Sequence, residues 1–261
     1  LKALDARIRA HNARPHTGPY SAAAAAYDAE AASLRAEQNR AISRLMACER
    51  GLDQMQARYP QAKIMSPTPD AVNKIDTALK KVTDADKQAV TRSNPQTYDF
   101  LRYGPGKRGM TKRVDSKEPP WIPPSVDGLY KALNAKRPDF PSTAYLQGSQ
   151  APRVGTPDPA YPSSSGRTIK SVHMDHIVPL RRLVALPGFL ELSASNMYIV
   201  AHSPANAQWL SGSANSSKNS GSAAFVSGAD TAWIQQQAQL REKAERELQE
   251  LIDALLKSQG S

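Results

Sequence analysis

Two long segments at opposite ends of the chain, "YDAEAASLRAEQNRAISRLMACERGLDQM" from residue 27 and "ADTAWIQQQAQLREKAERELQELIDALLK" from residue 229, carry apolar residues on one helical stripe. In the first, Tyr27, Leu34, Leu45, Cys48, Leu52 and Met55 recur at spacings of three, four or small multiples of them. In the second, Ala244, Leu248, Leu251 and Leu255 do the same. A helix with a single apolar stripe is marginal alone and needs a partner to cover it. The two segments are therefore expected to pack on each other as a bundle; a contact between two copies of the chain would meet the same need. Ahead of the break at Pro15, Gly18 and Pro19, "LKALDARIRAHN" adds another helix, so residues 1–58 are expected to form a helical hairpin.

Between these ends the texture changes twice. "SPTPDAVNKIDTALKKVTDADKQAV" opens with Ser and Pro capping signals and sets Val72, Ile75, Leu79 and Val82 on one stripe, which predicts one more helix ending before Pro95. From Tyr98 to Pro124 the chain is dense in Gly, Pro, Lys and Arg. There Tyr98, Phe100, Tyr103 and Trp121 flank Arg102, Lys107, Arg108, Lys112, Arg113 and Lys117. Lys107, Arg108, Lys112 and Arg113 are candidates to lie along a phosphate backbone, and a solvated linker accounts for them equally well. "DGLYKALNAKRPDF" predicts one short helix, and residues 149–168 form a Pro/Ser/Gly-rich connection of the kind that marks a boundary. The expected regions are a helical one over 1–95, a basic connecting one over 96–168, a core over 169–228 and a C-terminal amphipathic helix over 229–261.

Composition narrows the function classes. With 261 residues and 40% apolar content, the chain can bury one large core or two smaller ones. No run approaches the roughly 18 apolar residues of a membrane-spanning helix. The chain opens at Leu1 without a signal-peptide pattern, which suggests a piece of something longer or a trimmed chain. Cys48 is the lone cysteine, excluding an internal disulfide framework and any multi-cysteine zinc knuckle, so metal chemistry would have to use His, Asp and Asn. The balance of 34 basic against 24 acidic residues, a net charge of +10, has the sign expected of a polyphosphate binder.

Two of the five histidines fall three apart in "SVHMDHIVPL", residues 171–180. "HMDHIVPL" has the content of a short strand closed by Pro179, and "MYIVAHS" is a second strand candidate. "NAQWLSGSANSSKNS" is expected as a helix starting near Ser203 or Asn206, with Asn215 and Lys218 on one face. On a strand, His173 shares the face of Asp175 and opposes His176.

Asp175 and His176 in "DHIVPL", Asn206 in "SPANAQWL", and Asn215 and Lys218 in "ANSSK" form an ordered set that resembles the HNH, or ββα-metal, nuclease motif. The resemblance covers residues 173–222 and implies a mainly α protein with a small α+β part, a ββα-metal core capped by helices from both ends. It implies phosphodiester hydrolysis with one divalent metal. His176 would be the general base, since a neutral imidazole near pH 7 suits activation of water. Asn206 would hold the loop and backbone that orient His176. Asp175 and the amide oxygen of Asn215 would hold the metal; so weak a cage suits magnesium, which keeps several waters, with manganese, nickel and zinc as alternatives. Lys218, Arg181 and Arg182 are candidates for substrate phosphates, and His173 is either a further substrate or metal contact or a structural hydrogen-bonding group. The separation of His176 from Asn206 exceeds the family's common spacing. "RRLVALPGFLELSASNMY" is then an insert; the alternative alignment uses Asn196 and Asn206 in place of Asn206 and Asn215. His202 is assigned a structural place, and His11 and His16 no role.

The N-terminal "IRAHNARP...YDAEAASLRAEQNRAISRL" is similar to helical segments that precede nuclease domains in bacterial polymorphic toxins, including type VI secretion effectors. That resemblance implies an antibacterial DNase of low sequence specificity, delivered into the cytoplasm of a target cell. Its partners would be DNA, an immunity protein of acidic surface and a secretion carrier, with the C-terminal helix as a docking element. Three rivals remain: an RNase with the same site, a non-catalytic nucleic-acid binder, and a helical adaptor that docks a partner through Leu248 and Leu251.

Overall fold

The computed structural model describes residues 2–14, 22–62, 64–92, 103–105, 111–113, 122–135, 137–138, 140–218 and 221–259. The protein is mainly α with one small α+β part. Helix α1 (Lys2–Asn12) folds back on the N-terminal half of α2 (Ala22–Arg58), as the break between them predicts. Arg7 bonds Glu37, Arg14 bonds Glu30, and the buried His11 stacks on Tyr27 at 3.9 Å.

The C-terminal half of α2 lies along the final long helix, Thr231–Gln259, so the two end segments do cover each other. They cross closely because position 51 lacks a side chain: a Cβ on Gly51 would sit 2.7 Å from the Cβ of Ala254. The stripe on α2 is only partly covered. Leu34 and Met55 are buried, but Leu45 is 46% exposed with Ile42 and Met46 beside it, because α1 covers one end of α2 and the last helix the other. Leu248 and Leu251 are core residues at 0% and 2% exposure, so they are not the docking surface the adaptor reading requires.

Where one helix was expected over residues 66–90 there are two, α3 (Pro69–Leu79) and α4 (Asp84–Arg92). Thr83 and Asp86 explain the break: the Thr83 hydroxyl accepts from the Asp86 N–H at 3.2 Å, and Asp86 accepts from the Thr83 N–H at 3.1 Å. This reciprocal cap starts a new helix. The basic stretch that follows lies largely outside the described residues, Lys107 and Arg108 included. Lys112 and Arg113 belong to β2 (Thr111–Arg113), which pairs antiparallel with β1 (Tyr103–Pro105), so these two lie on a paired strand and not in an open loop. The short helix expected next is α5 (Pro124–Ala135).

The expected regions are not separate bodies. One apolar cluster joins Met55, Ile75, Leu129, Phe189, Met197 and Leu248, residues drawn from each of the four expected regions, and five of these six have 0% exposure. The 149–168 connection is also more than a linker. Its Ala160 and Tyr161 are buried in a second cluster with Leu210, Ala214 and Trp233. Among the described residues, no helix is long and apolar enough to cross a membrane.

The α+β part consists of β3 (Val172–His176), then α6 (Leu180–Leu183), α7 (Ala194–Ala201), β4 (Ala207–Ser211) and α8 (Gly212–Lys218). Strands β3 and β4 pair antiparallel, with Met174 opposite Trp209, Asp175 opposite Gln208 and His176 opposite Ala207. Two expectations fail here. Residues 197–201 of "MYIVAHS" lie in α7, not in a strand, because the Ser193 hydroxyl caps the helix by accepting from the Asn196 N–H; His202 follows as its C-cap. "AQWLS" is the second strand, not the start of a helix, and the helix begins at Gly212. The closing helix is α9 (Thr231–Gln259).

Candidate active site

Strand β3 ends at His176, and this end is held by the turn around Asn206, by β4 and by α8. Asn206 is fully buried. Its Oδ1 accepts from the Val178 N–H at 2.7 Å, its Nδ2 donates to the Ala201 carbonyl at 3.1 Å, and its own carbonyl accepts from the Ile177 N–H at 3.0 Å. Three bonds from one residue set the path of the chain just past His176. Asn196, the alternative loop residue, instead donates to Gln259 at the end of α9 and makes no contact with this turn.

Asp175 is 5% exposed and both of its oxygens are engaged. Lys218 Nζ donates to Oδ1 at 3.0 Å, and Gln208 Nε2 donates to Oδ2 at 3.0 Å. Lys218 also donates to the His176 carbonyl at 2.8 Å and is only 3% exposed, so it does not reach a substrate phosphate as the sequence suggested. It is a buried counter-ion that joins α8 to the end of β3. The placement of Asn215 and Lys218 on one face of α8 holds, since both point toward this strand end.

Arg181 and Arg182 are likewise not phosphate contacts. Both are buried: Arg181 pairs with Asp127 of α5 at 2.7 Å, with its guanidinium over the Tyr130 ring, and Arg182 makes a two-pronged pair with Glu245 of α9. They anchor α6 to its neighbours. His173 is exposed, with its Nε2 3.2 Å from the Ser171 hydroxyl, and it lies outside the cleft that holds His176.

That cleft, about 270 Å³, is lined by Asp175, His176, Asn215 and Ser216 on one side and by Tyr130, Asn134 and Arg137 from α5 and its C-terminal extension on the other. His176 Nε2 lies 3.1 Å from Nδ1 of His202, the residue that ends α7, and both rings are buried. Burial holds the His176 imidazole well below the ordinary histidine range, and the positive charge that His202, Arg137 and Lys218 can carry adds to this. Burial pushes His202 down to about 4, partly offset by the Leu133 backbone and reinforced by Arg137. Both rings are therefore neutral at pH 7. Arg137 is exposed and makes no ion pair with any described residue. Lys218 is the paired counter-ion of Asp175, whereas the Arg137 guanidinium is presented to the cleft.

The cleft offers a divalent ion one carboxylate, Asp175, beside neutral oxygen donors such as the Asn215 amide; among the described residues, no group of three or more His, Cys, Asp or Glu is placed to hold a metal. Each Asp175 oxygen has a lone pair beyond the one used by Lys218 or Gln208. That donor set fits a hard ion that keeps most of its waters, not a tightly caged one.

From sequence His202 was given only a structural place, and Gln208, Asn134 and Arg137 were not picked out. A signal existed for His202, which lies four residues before Asn206 in an apolar segment. None existed for Arg137, which is far from the motif in the chain. In comparisons with protein-family models, with curated proteins and with solved structures, no match was found.

Proposed function

We propose that this protein is a metal-dependent endonuclease of the ββα-metal kind, hydrolysing DNA phosphodiester bonds with low sequence specificity. The observation that carries this reading is that one cleft gathers the buried His176, the Asp175 carboxylate, the Asn215 amide and the exposed Arg137 guanidinium. Phosphodiester hydrolysis needs an activated water, charge neutralisation at the phosphate and stabilisation of the leaving oxygen. His176 supplies the first. In this reading the His176 Nε2–H donates to Nδ1 of His202, 3.1 Å away, one of the two tautomer arrangements that the contact allows. This leaves Nδ1 of His176 unprotonated and able to take a proton from water. Arg137 binds a non-bridging phosphate oxygen. A divalent ion, magnesium first, held by Asp175 and Asn215, supplies further charge neutralisation when bound. Lys218 and Gln208 keep the Asp175 carboxylate in place, and Asn206 keeps the backbone past His176 in place. The net charge of +10 supports a polyanionic substrate and, in an antibacterial effector, an immunity protein of acidic surface.

The test is incubation of the purified protein with supercoiled plasmid or total RNA, in magnesium, manganese, nickel, zinc or chelator, beside His176→Ala. Plasmid nicking that needs metal and vanishes in the variant is expected. Digestion of RNA with the plasmid intact would replace this reading with an RNase, and no cleavage of either by a folded protein would replace it with a nucleic-acid-binding protein.

A further inference from the structure

A second cleft of about 480 Å³ adjoins the first, and Asn134, Arg137 and Asn215 line both. Its remaining walls differ in character: Phe140, Pro138, Met174 and Trp209 are apolar or aromatic, and the exposed His173 stands at its edge. Trp209 is held in place by donating its indole N–H to the Ala144 carbonyl at 3.0 Å, and Met174 lies directly across the sheet from it. The two clefts therefore form one groove, polar and cationic at the His176 end, aromatic at the other, with a single exposed arginine where they meet.

We infer that this groove takes a single strand of DNA, with the scissile phosphate at Arg137 and a flanking base unstacked against Trp209 and Phe140. The inference rests on the nuclease reading and deepens it by naming the substrate's form. A cation beside an aromatic wall is the arrangement that binds a polynucleotide strand without reading its sequence: the cation takes the backbone, and ring faces take any base. A volume near 480 Å³ lies within the usual range of ligand pockets, so a nucleotide has room. In a duplex both faces of each base are covered by neighbours, and presenting one to Trp209 would require unpairing and unstacking, which costs a few kcal/mol. A strand already unpaired avoids that cost. The groove therefore favours single-stranded DNA, or duplex DNA at gaps and frayed ends.

The experiment is a titration of the 261-residue chain with oligodeoxythymidylate, oligouridylate or blunt duplex, in chelator so that nothing is cut. Anisotropy of a labelled oligonucleotide reports binding, and quenching of tryptophan emission reports stacking. The expected result is binding of the deoxy single strand over the duplex, with quenching that disappears in Trp209→Phe. Phe140→Ala should weaken single-strand binding roughly five- to hundredfold, and Arg137→Ala should lower the salt slope by roughly 0.7. Phe140→Leu keeps apolar bulk while removing the ring, and should weaken binding in the same direction if Phe140→Ala folds poorly. Equal binding of duplex and single strand, with neither Phe140 variant changing either, overturns the inference while leaving plasmid cleavage untouched. Tighter binding of oligouridylate than of oligodeoxythymidylate also overturns it. Conversely, quenching and single-strand preference in a protein that never cleaves would sink the nuclease reading and keep the groove.

Discussion

At the residue scale, His176 and His202 make stability sensitive to acid. In the fold His202 protonates only at about 4, whereas an unfolded imidazole does so near 6.5. Between those values the unfolded chain holds more protons, so stability rises with pH there; the contribution is full above about 6.5 and is lost as pH falls toward 4. His176 shifts in the same direction and adds to the effect. The melting temperature should therefore drop by roughly 5 °C or more between pH 7 and pH 4.5, and His202→Asn, which keeps an acceptor near the Nδ1 position without the titration, should flatten that limb. A melting temperature that does not change over this range would rule the neutral pair out. Lys218→Met should leave Asp175 buried without its counter-ion and cost about 3–5 kcal/mol in denaturant unfolding, with Asp175→Asn in the same chain recovering part of the loss. Asp175, His176, Asn206 and Asn215 stood out in the sequence by their order and residue types, and the fold brings all four to the end of β3. The buried roles of Lys218, Arg181 and Arg182 were not, because their acidic partners lie on other elements: Asp175 on β3, Asp127 on α5 and Glu245 on α9.

At the element scale, periodicity located most helices but misjudged the pieces around the site. The segment before Asn206 is rich in β-branched and aromatic residues, and only the cap at Ser193 reveals α7. The break between α3 and α4 was likewise visible in Thr83 and Asp86, at a spacing whose meaning depends on both side chains bonding backbone. Ser193→Ala should cost about 1 kcal/mol in unfolding measurements. It should also lower activity, since α7 carries His202. Ser193→Asp should restore both; a loss in Ser193→Asp equal to that in Ser193→Ala would mean that the cap does not position the histidine.

At the scale of the whole molecule, helices from both ends were expected to cap the small α+β part, but which distant segments share the core was not legible, because texture reports local structure. Residues 55–90, 122–133, 177–205 and 244–255 contribute to the same apolar cluster. A fragment carrying residues 149–228 alone, though it holds the entire motif, should show no cooperative thermal transition, because α2, α5 and α9 cover its apolar face. In the full chain, Leu248→Ala should cost about 2–5 kcal/mol, read from the urea midpoint.

The buried Lys218 also makes the chain's own chemistry a gauge of its integrity. An amine at 3% exposure, bonded to Asp175 and to the His176 carbonyl, is shielded from acylating reagents that reach surface lysines quickly. Its modification requires that α8 part from β3. The rate at which a peptide containing residue 218 gains acyl mass, measured against the lysines of the surface, would therefore time the opening of the cleft itself. A ligand that seals the cleft should slow that clock while leaving the surface lysines reacting as before.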